Sequence, residues 1–280
     1  MTFLTTYRGA LGAALALSAA LFVPAASAQS QAASVQIPAQ GFMLNAAIYV
    51  PNSQGPWPAV VALHGCGGPD LKAGSRESDW AMRMQAAGFA VVIPDSFGSR
   101  GLGSQCRVKE RDVRNADRVG DLRATVDWLV SQREIKANAI SLIGWSNGAT
   151  TILKAARPNS RDGKHLNVQR AFAFYPGCQT YQRSGTWVSR IPLTILTGSE
   201  DNWTPSASCV DMVAQARMQG APVDIVAYPG AYHDFDHPNM PLRQRSGLAY
   251  SGDGSGNAIQ GTNPQARSDA ITRVLAGLAR

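Results

Sequence analysis

The chain has 280 residues, of which 45% are hydrophobic and 16% are charged, a composition that excludes a disordered chain. The formal net charge is +7, and the densest basic stretch runs from Arg100 to Arg123. Acidic residues interrupt this stretch, and it contains no aromatic residue. Because mixed charges at helical spacing are typical of a solvated helix face, we expect no nucleic-acid partner.

The first 28 residues have the three parts of a secretory signal peptide. Arg8 provides a positive charge, residues 10–23 form an apolar stretch, and residues 26–28 (ASA) form a small-residue cleavage site. The apolar stretch has 14 residues, whereas a membrane-spanning helix needs roughly 20. We therefore expect cleavage after Ala28, export to the periplasm or the medium, and one mature domain of residues 29–280 with no membrane insertion.

Short apolar runs alternate with longer amphipathic runs through the rest of the chain. The predicted strands are residues 58–65, 89–95, 139–144, 170–176, 193–198 and 223–230. The predicted helices are residues 75–88, 111–132, 147–156, 206–220 and 266–279. Residues 41–51 alternate more and predict an antiparallel strand, and residues 251–264 predict a turn-rich loop. Strands that are apolar throughout, alternating with helices, predict an α/β fold with a mostly parallel sheet covered on both faces.

Three chemically complementary residues follow the ends of predicted strands. Ser146 lies between two glycines in the sequence GWSNG, Asp201 follows the strand at 193–198, and His233 follows the strand at 223–230. Because loops at the carboxyl ends of parallel strands share one crevice, we expect these side chains to lie close together. The order Ser, Asp, His is the order expected of an enzyme in which a sharp strand-to-helix turn carries the nucleophile.

Each of these residue types has a catalytic role in that arrangement. Ser146 would attack an acyl carbon, His233 would accept and return the proton, and Asp201 would orient the imidazole. The backbone amides of Asn147 and Cys66 would bind the oxyanion that develops on the substrate.

Neighbouring residues offer alternatives for two of the roles. Glu200 is an alternative to Asp201 as the carboxylate that orients the imidazole, and His237 is an alternative to His233 as the base. His64 is a further candidate base, although its place before a glycine-rich loop favours a structural role. The sequence favours Asp201 and His233.

The cysteines number four, an even count that favours two disulfides in an exported protein. Three pairings are possible, and neighbouring loops favour Cys66 with Cys106 and Cys178 with Cys209. No C-x-x-C pair supports a metal site. Cys66 is itself a conceivable nucleophile, but nothing in its local sequence indicates activation.

The sequence resembles the dienelactone hydrolase family of α/β-hydrolases over Ala59 to Phe235. The motifs that carry this resemblance are LHGCGG, VVIPDSFGSRG, LIGWSNGAT, FYPGC, LTGSEDNWTP and YPGAYHDFD, in that order. The resemblance implies an α/β-hydrolase sheet, no cofactor and no metal, and hydrolysis of an ester or a lactone through an acyl-enzyme. The founding members of the family have a cysteine where this chain has Ser146.

A serine hydrolase with a small-molecule ester or lactone substrate is therefore the leading hypothesis. A peptidase or an acyltransferase would use the same three residues, and a non-catalytic binding protein could keep the fold. We expect Trp145, Phe97 and Tyr232 to line the acyl pocket. The sequence makes no prediction of the oligomeric state.

Overall fold

The computed structural model describes residues 32–158 and 166–280. The signal peptide expected at residues 1–28 lies outside the described residues. Within those ranges no helix has both the length and the apolar character needed to cross a bilayer.

Eight strands form one twisted sheet in the order β1-β2-β4-β3-β5-β6-β7-β8. The strands are β1 Ala33–Ala39, β2 Phe42–Tyr49, β3 Trp57–Leu63, β4 Ala90–Pro94, β5 Ile135–Trp145, β6 Arg170–Phe174, β7 Leu193–Gly198 and β8 Val223–Tyr228. Strand β2 pairs antiparallel with both β1 and β4, and the pairs from β4 through β8 are parallel. The predicted sheet and its antiparallel strand at residues 41–51 are confirmed. Strand β1 was not predicted.

Six helices accompany the sheet, and side-chain caps fix where several of them begin. They are α1 Arg76–Ala86, α2 Asn115–Ser131, α3 Asn147–Ala155, α4 Gln179–Ser184, α5 Ser206–Met218 and α6 Pro264–Leu278, in the described ranges of the chain. Helix α2 begins later than residue 111 because the Asp117 carboxylate accepts a hydrogen bond from the Arg114 backbone amide, at 2.8 Å. Helix α4 was not predicted. Within the expected loop at 251–264, a short strand β10 (Ala258–Gln260) pairs with β9 (Arg243–Arg245).

Both faces of the sheet are buried, as the apolar strands predict. Val61 belongs to an apolar cluster with residues of α2, α3 and α5 on one face, and its neighbour Val60 belongs to a second cluster with residues of α1 and α6 on the other. Both side chains are fully buried. The carboxyl ends of β3 and β5–β8 consequently meet along one edge of a rigid platform, which is where the residues expected to be functional follow the strands.

Two disulfides join the loops at this edge. Cys66 is bonded to Cys106, and Cys178 is bonded to Cys209, which is the pairing expected from the sequence. Disulfides of this kind fit an oxidising, extracellular environment.

Candidate active site

Ser146 lies at the sharp turn between β5 and α3, and its backbone has the unusual angles φ 52° and ψ −114°. The flanking glycines are required by close packing. A Cβ on Gly148 would lie 2.1 Å from the carbonyl oxygen of Leu63, and a Cβ on Gly144 would lie 2.9 Å from the backbone of Gly148. The G-x-S-x-G pattern therefore reflects a steric need at this turn and is not a chance run of turn residues.

Asp201 and His233 form a buried hydrogen-bonded pair. Nδ1 of His233 lies 2.8 Å from Oδ2 of Asp201, and neither side chain is more than 1% exposed. The other carboxylate oxygen of Asp201 accepts hydrogen bonds from the backbone amides of Trp203 and Thr204, at 2.9 and 2.8 Å. These bonds fix the carboxylate, so the His233 ring has one orientation with its Nε2 directed away from Asp201.

Two aromatic rings hold the imidazole between them. The rings of Tyr175 and Trp203 lie 4.4 and 4.6 Å from the His233 ring, centroid to centroid. Burial lowers the pKa of His233, but the charge and the hydrogen bond of Asp201 outweigh burial, and the net pKa is raised above the usual value. His233 is thus a base whose proton affinity has been increased by its acidic partner.

The competing residues have other surroundings. Glu200 is exposed and accepts a hydrogen bond from the hydroxyl of its neighbour Ser199, at 3.1 Å. His237 is half-buried, and its Nδ1 accepts a hydrogen bond from the Asn239 amide, at 3.2 Å. His64 is fully buried, with its two ring nitrogens on the backbone of Gly65 and Ser96, so it has the structural role that its sequence position favours.

A cavity of about 690 Å³ opens at the turn that carries Ser146. Its floor includes Ser146, Asn147 and Cys66, and its wall includes Trp203 and Thr204, which also contact His233. Residues of the loop before α2 and of the 250–252 segment complete the rim. Among the described residues, neither Ser146 Oγ nor His233 Nε2 has a hydrogen-bond partner. The two atoms do not form a hydrogen bond with each other in this structure.

The three side chains expected to line the acyl pocket do not line this cavity. Trp145 is fully buried on the opposite side of β5, where its Nε1 donates to Oδ2 of Asp236 at 2.8 Å. Phe97 is 1% exposed and packs edge-on against His64. Tyr232 is half-buried but lies outside the lining. The structure therefore places none of the three in the lining of this cavity, and for Trp145 the reason is strand alternation, which turns it away from its neighbour Ser146.

Behind His233 lies a charged network that sequence reasoning missed. Arg76, at the start of α1, donates to Oδ1 of Asp234, to the Tyr175 hydroxyl at 3.1 Å and to Glu77 at 2.7 Å. The Tyr175 hydroxyl in turn donates to Oδ1 of Asp236 at 2.5 Å. The raised pKa of Arg76 reflects these acidic neighbours, which outweigh its burial. The pattern HDFD at 233–236 was a usable signal, since it places two carboxylates beside the histidine.

Backbone strain is concentrated in the same place. Ser146, Tyr175 and Asp234 have φ angles of 52°, 39° and 59°, and they are the non-glycine residues with positive φ in the part of the chain that the structure describes. Such conformations persist where the surrounding structure enforces them, and they cluster at functional sites. Tyr175 and Asp234 adjoin His233, and the Ser146 amide donates to the carbonyl oxygen of Phe174, the residue before Tyr175, at 2.9 Å. The strained residues therefore belong to the same region as the hydrogen-bonded pair.

Comparison with known proteins agrees with this fold. The family model described as the dienelactone hydrolase family matches residues 44–280. The chain belongs to the dienelactone hydrolase family. As a family member it has the α/β-hydrolase fold and is a hydrolase that acts on esters.

Solved structures share this fold at low sequence identity. A protein described as a dienelactone hydrolase from Klebsiella pneumoniae is 19% identical, with a TM-score of 0.65 over 89% of this chain and 98% of that chain. The dienelactone hydrolase-like promiscuous phosphotriesterase P91 from metagenomic libraries is 17% identical, with a TM-score of 0.66 over 89% and 97%. Esterase 2 of Thermogutta terrifontis is 15% identical, with a TM-score of 0.62 over 89% and 94%. Comparison with the curated proteins gave no match.

Proposed function

We propose that this member of the dienelactone hydrolase family is a serine hydrolase that cleaves carboxylic esters or lactones through an acyl-enzyme. Ser146 attacks the carbonyl carbon while Nε2 of His233 takes its proton. His233 then donates that proton to the leaving oxygen, and the new ester on Ser146 is hydrolysed by water in the same two steps.

The observation that carries this proposal is the buried Asp201–His233 pair beside a cavity whose floor contains Ser146. Asp201 holds Nδ1 of the ring, so Nε2 is the nitrogen left for proton transfer. The free Ser146 hydroxyl and the free Nε2 form their hydrogen bond when substrate is bound, because catalytic contacts tighten in the substrate complex. The raised pKa of His233 makes it a stronger base, and the Asp201 carboxylate stabilises the imidazolium that forms.

The oxyanion is received by the backbone amides of Asn147 and Cys66. The Asn147 amide is the first of helix α3, where the positive end of the helix dipole favours an anion. Cys66 lies in the glycine-rich loop after β3, and both residues line the cavity with Ser146. Its disulfide to Cys106 anchors that loop.

The test uses a fluorophosphonate probe and a panel of substrates on the wild type, Ser146→Ala and Asp201→Asn. We expect the probe to label the wild type but not Ser146→Ala, and ester turnover to fall by about 10⁴–10⁶-fold in Ser146→Ala. In Asp201→Asn, which presents the wrong imidazole tautomer, turnover is expected to fall by about 10⁴-fold. Ser184→Ala, an exposed serine outside the cavity, is the control.

The panel contains an ester, a lactone, an amide and a phosphotriester, since one fold neighbour is described as a phosphotriesterase. Faster turnover of the amide than of the ester would favour a peptidase. Labelling of Ser146→Ala would show that another residue is the reactive nucleophile. An unlabelled wild type that is folded and oxidised would refute the serine mechanism and favour a binding protein.

We propose further that residues 1–28 direct export and that the mature protein is the single domain 29–280. The two disulfides support this because they persist in oxidising compartments. Protein recovered from the cell envelope or the medium should have an N-terminal sequence that begins at Gln29 and an intact mass equal to that of residues 29–280. Recovery of the full-length chain from the cytoplasm alone would contradict export.

A further inference from the structure

Arg118 of α2 is fully buried, which is unusual for an arginine, and it reaches toward the loop beneath the cavity. Its guanidinium divides its hydrogen bonds between two segments. Nη1 donates to the side-chain Oδ1 of Asn147 at 2.5 Å, and Nη2 donates to the backbone oxygen of His64 at 2.8 Å. Asn115, also on α2, accepts from Nδ2 of Asn147 at 2.9 Å, which holds the Asn147 amide group with its oxygen toward Arg118.

These two segments are the ones that provide the proposed oxyanion amides. Asn147 follows Ser146, and His64 lies two residues before Cys66. They are also in direct contact, because Gly148 packs against the carbonyl oxygens of Leu63 and His64. Arg118 therefore joins the beginning of α3 to the residue that follows β3, and it is not itself among the residues that line the cavity.

The charge of Arg118 has no carboxylate partner in hydrogen-bond contact among the described residues. The carboxylates of Asp121 and Asp95 act on it through space, and Asp121 is itself engaged by two hydrogen bonds from Arg100, at 2.9 and 2.7 Å. His64 is neutral, because burial holds its pKa well below the usual value. Burial lowers the pKa of Arg118 to about 9, which leaves the guanidinium protonated at neutral pH.

We propose that Arg118 is a positioning residue for the oxyanion site: its fork fixes the Asn147 and Cys66 segments relative to each other, and its charge favours the negative charge that develops there. This inference rests on the proposed serine mechanism. A buried cation that has no carboxylate in hydrogen-bond contact acts strongly on a nearby anion and needs no reorganisation during the reaction. The ground-state ester has no such charge, so Arg118 acts on the transition state.

The experiment compares Arg118→Met and Arg118→Lys with the wild type. Methionine keeps the apolar volume and removes both the fork and the charge, whereas lysine keeps the charge without the planar fork. Arg217→Met is the control for removal of an arginine elsewhere: Arg217 is half-exposed and also donates to one backbone oxygen (Val223) and one side-chain oxygen (Asp224), but at the far end of the sheet. Rates are expressed per fluorophosphonate-reactive site, so that misfolded protein does not count.

We expect Arg118→Met to lower kcat by about 100-fold, the size of effect seen when an oxyanion donor is lost, with KM within about threefold. The kcat of Arg118→Lys should be about tenfold higher than that of Arg118→Met. Inhibition by a trifluoromethyl ketone, whose serine adduct carries an oxyanion, should weaken in parallel with kcat. In Arg217→Met, kcat, KM and the inhibitor affinity should stay within about twofold of the wild-type values.

A purely structural role would give a different pattern. Arg118→Met and Arg118→Lys would then lose labelled sites and thermal stability, but each remaining site would keep the wild-type kcat and inhibitor affinity. That result, or a lysine variant no better than the methionine variant, would overturn the inference. A fully active Ser146→Ala would instead refute the serine mechanism itself, so the two failures are distinguishable.

Discussion

Two arginines with little solvent exposure lie behind the candidate active site, and their surroundings differ: the Arg76 side chain is 11% exposed and Arg118 is fully buried. Arg76 is surrounded by acids: it contacts Glu77 and Asp234 directly, and Asp236 lies one hydrogen bond away through Tyr175. The hydrogen bonds of Arg118 go only to neutral oxygens, and its guanidinium lies 5.2 Å from the centre of the Phe97 ring. The pKa of Arg76 is raised by its acidic neighbours despite burial, and the pKa of Arg118 is lowered by burial.

This difference separates two uses of a buried cation. A guanidinium among carboxylates is needed to make their burial tolerable, so Arg76 stabilises the folded state and joins α1 to the loop that carries His233. A guanidinium without a carboxylate costs desolvation free energy and returns no ion pair. Its retention is understandable if an anion forms nearby during the reaction, on the oxyanion side of Ser146.

The largest effect that would separate the two arginines is on stability. Arg76→Met leaves Glu77, Asp234 and Asp236 buried without their cation, and we expect the free energy of unfolding to fall by about 3–5 kcal/mol. Arg118→Met leaves two neutral acceptors without a donor, and we expect a loss below about 2 kcal/mol. Urea unfolding of both variants beside the wild type measures the difference. Equal losses would show that the charge environments do not distinguish the two residues.

The features that could be predicted from the sequence are those that depend on residues close together in the chain. The strand periodicity, the glycines around Ser146 and the residues after β7 and β8 are local patterns, and they led to the sheet and to the Asp201–His233 pair. Arg76 and Arg118 contact residues 158 and 54 positions away, so only the fold brings those partners together. The lining of the cavity was hard to predict for a related reason, because the direction of a side chain such as Trp145 depends on the register of its strand.

A smaller effect concerns the acid limb of the pH profile of kcat/KM, which reports the pKa of His233 in the free enzyme. Only neutral His233 can accept the serine proton, so the rate falls as pH drops through that pKa. Because the pKa is raised, the midpoint should lie above 6.5. Asp201 and Asp234 raise this pKa while Arg76 and burial lower it. We expect Asp234→Asn to move the limb to lower pH and Arg76→Met to move it to higher pH.

The opposite directions are what make this measurement informative. Asparagine tolerates the positive φ of residue 234, so Asp234→Asn changes the charge with little strain on the backbone. Arg76→Lys keeps the charge and should leave the midpoint in place. Arg118→Met should also leave it in place while lowering the plateau, because its charge acts on the oxyanion side. A shift of the midpoint in Arg118→Met as large as that in Arg76→Met would mean that both cations act through His233, and the division of roles between them would be wrong.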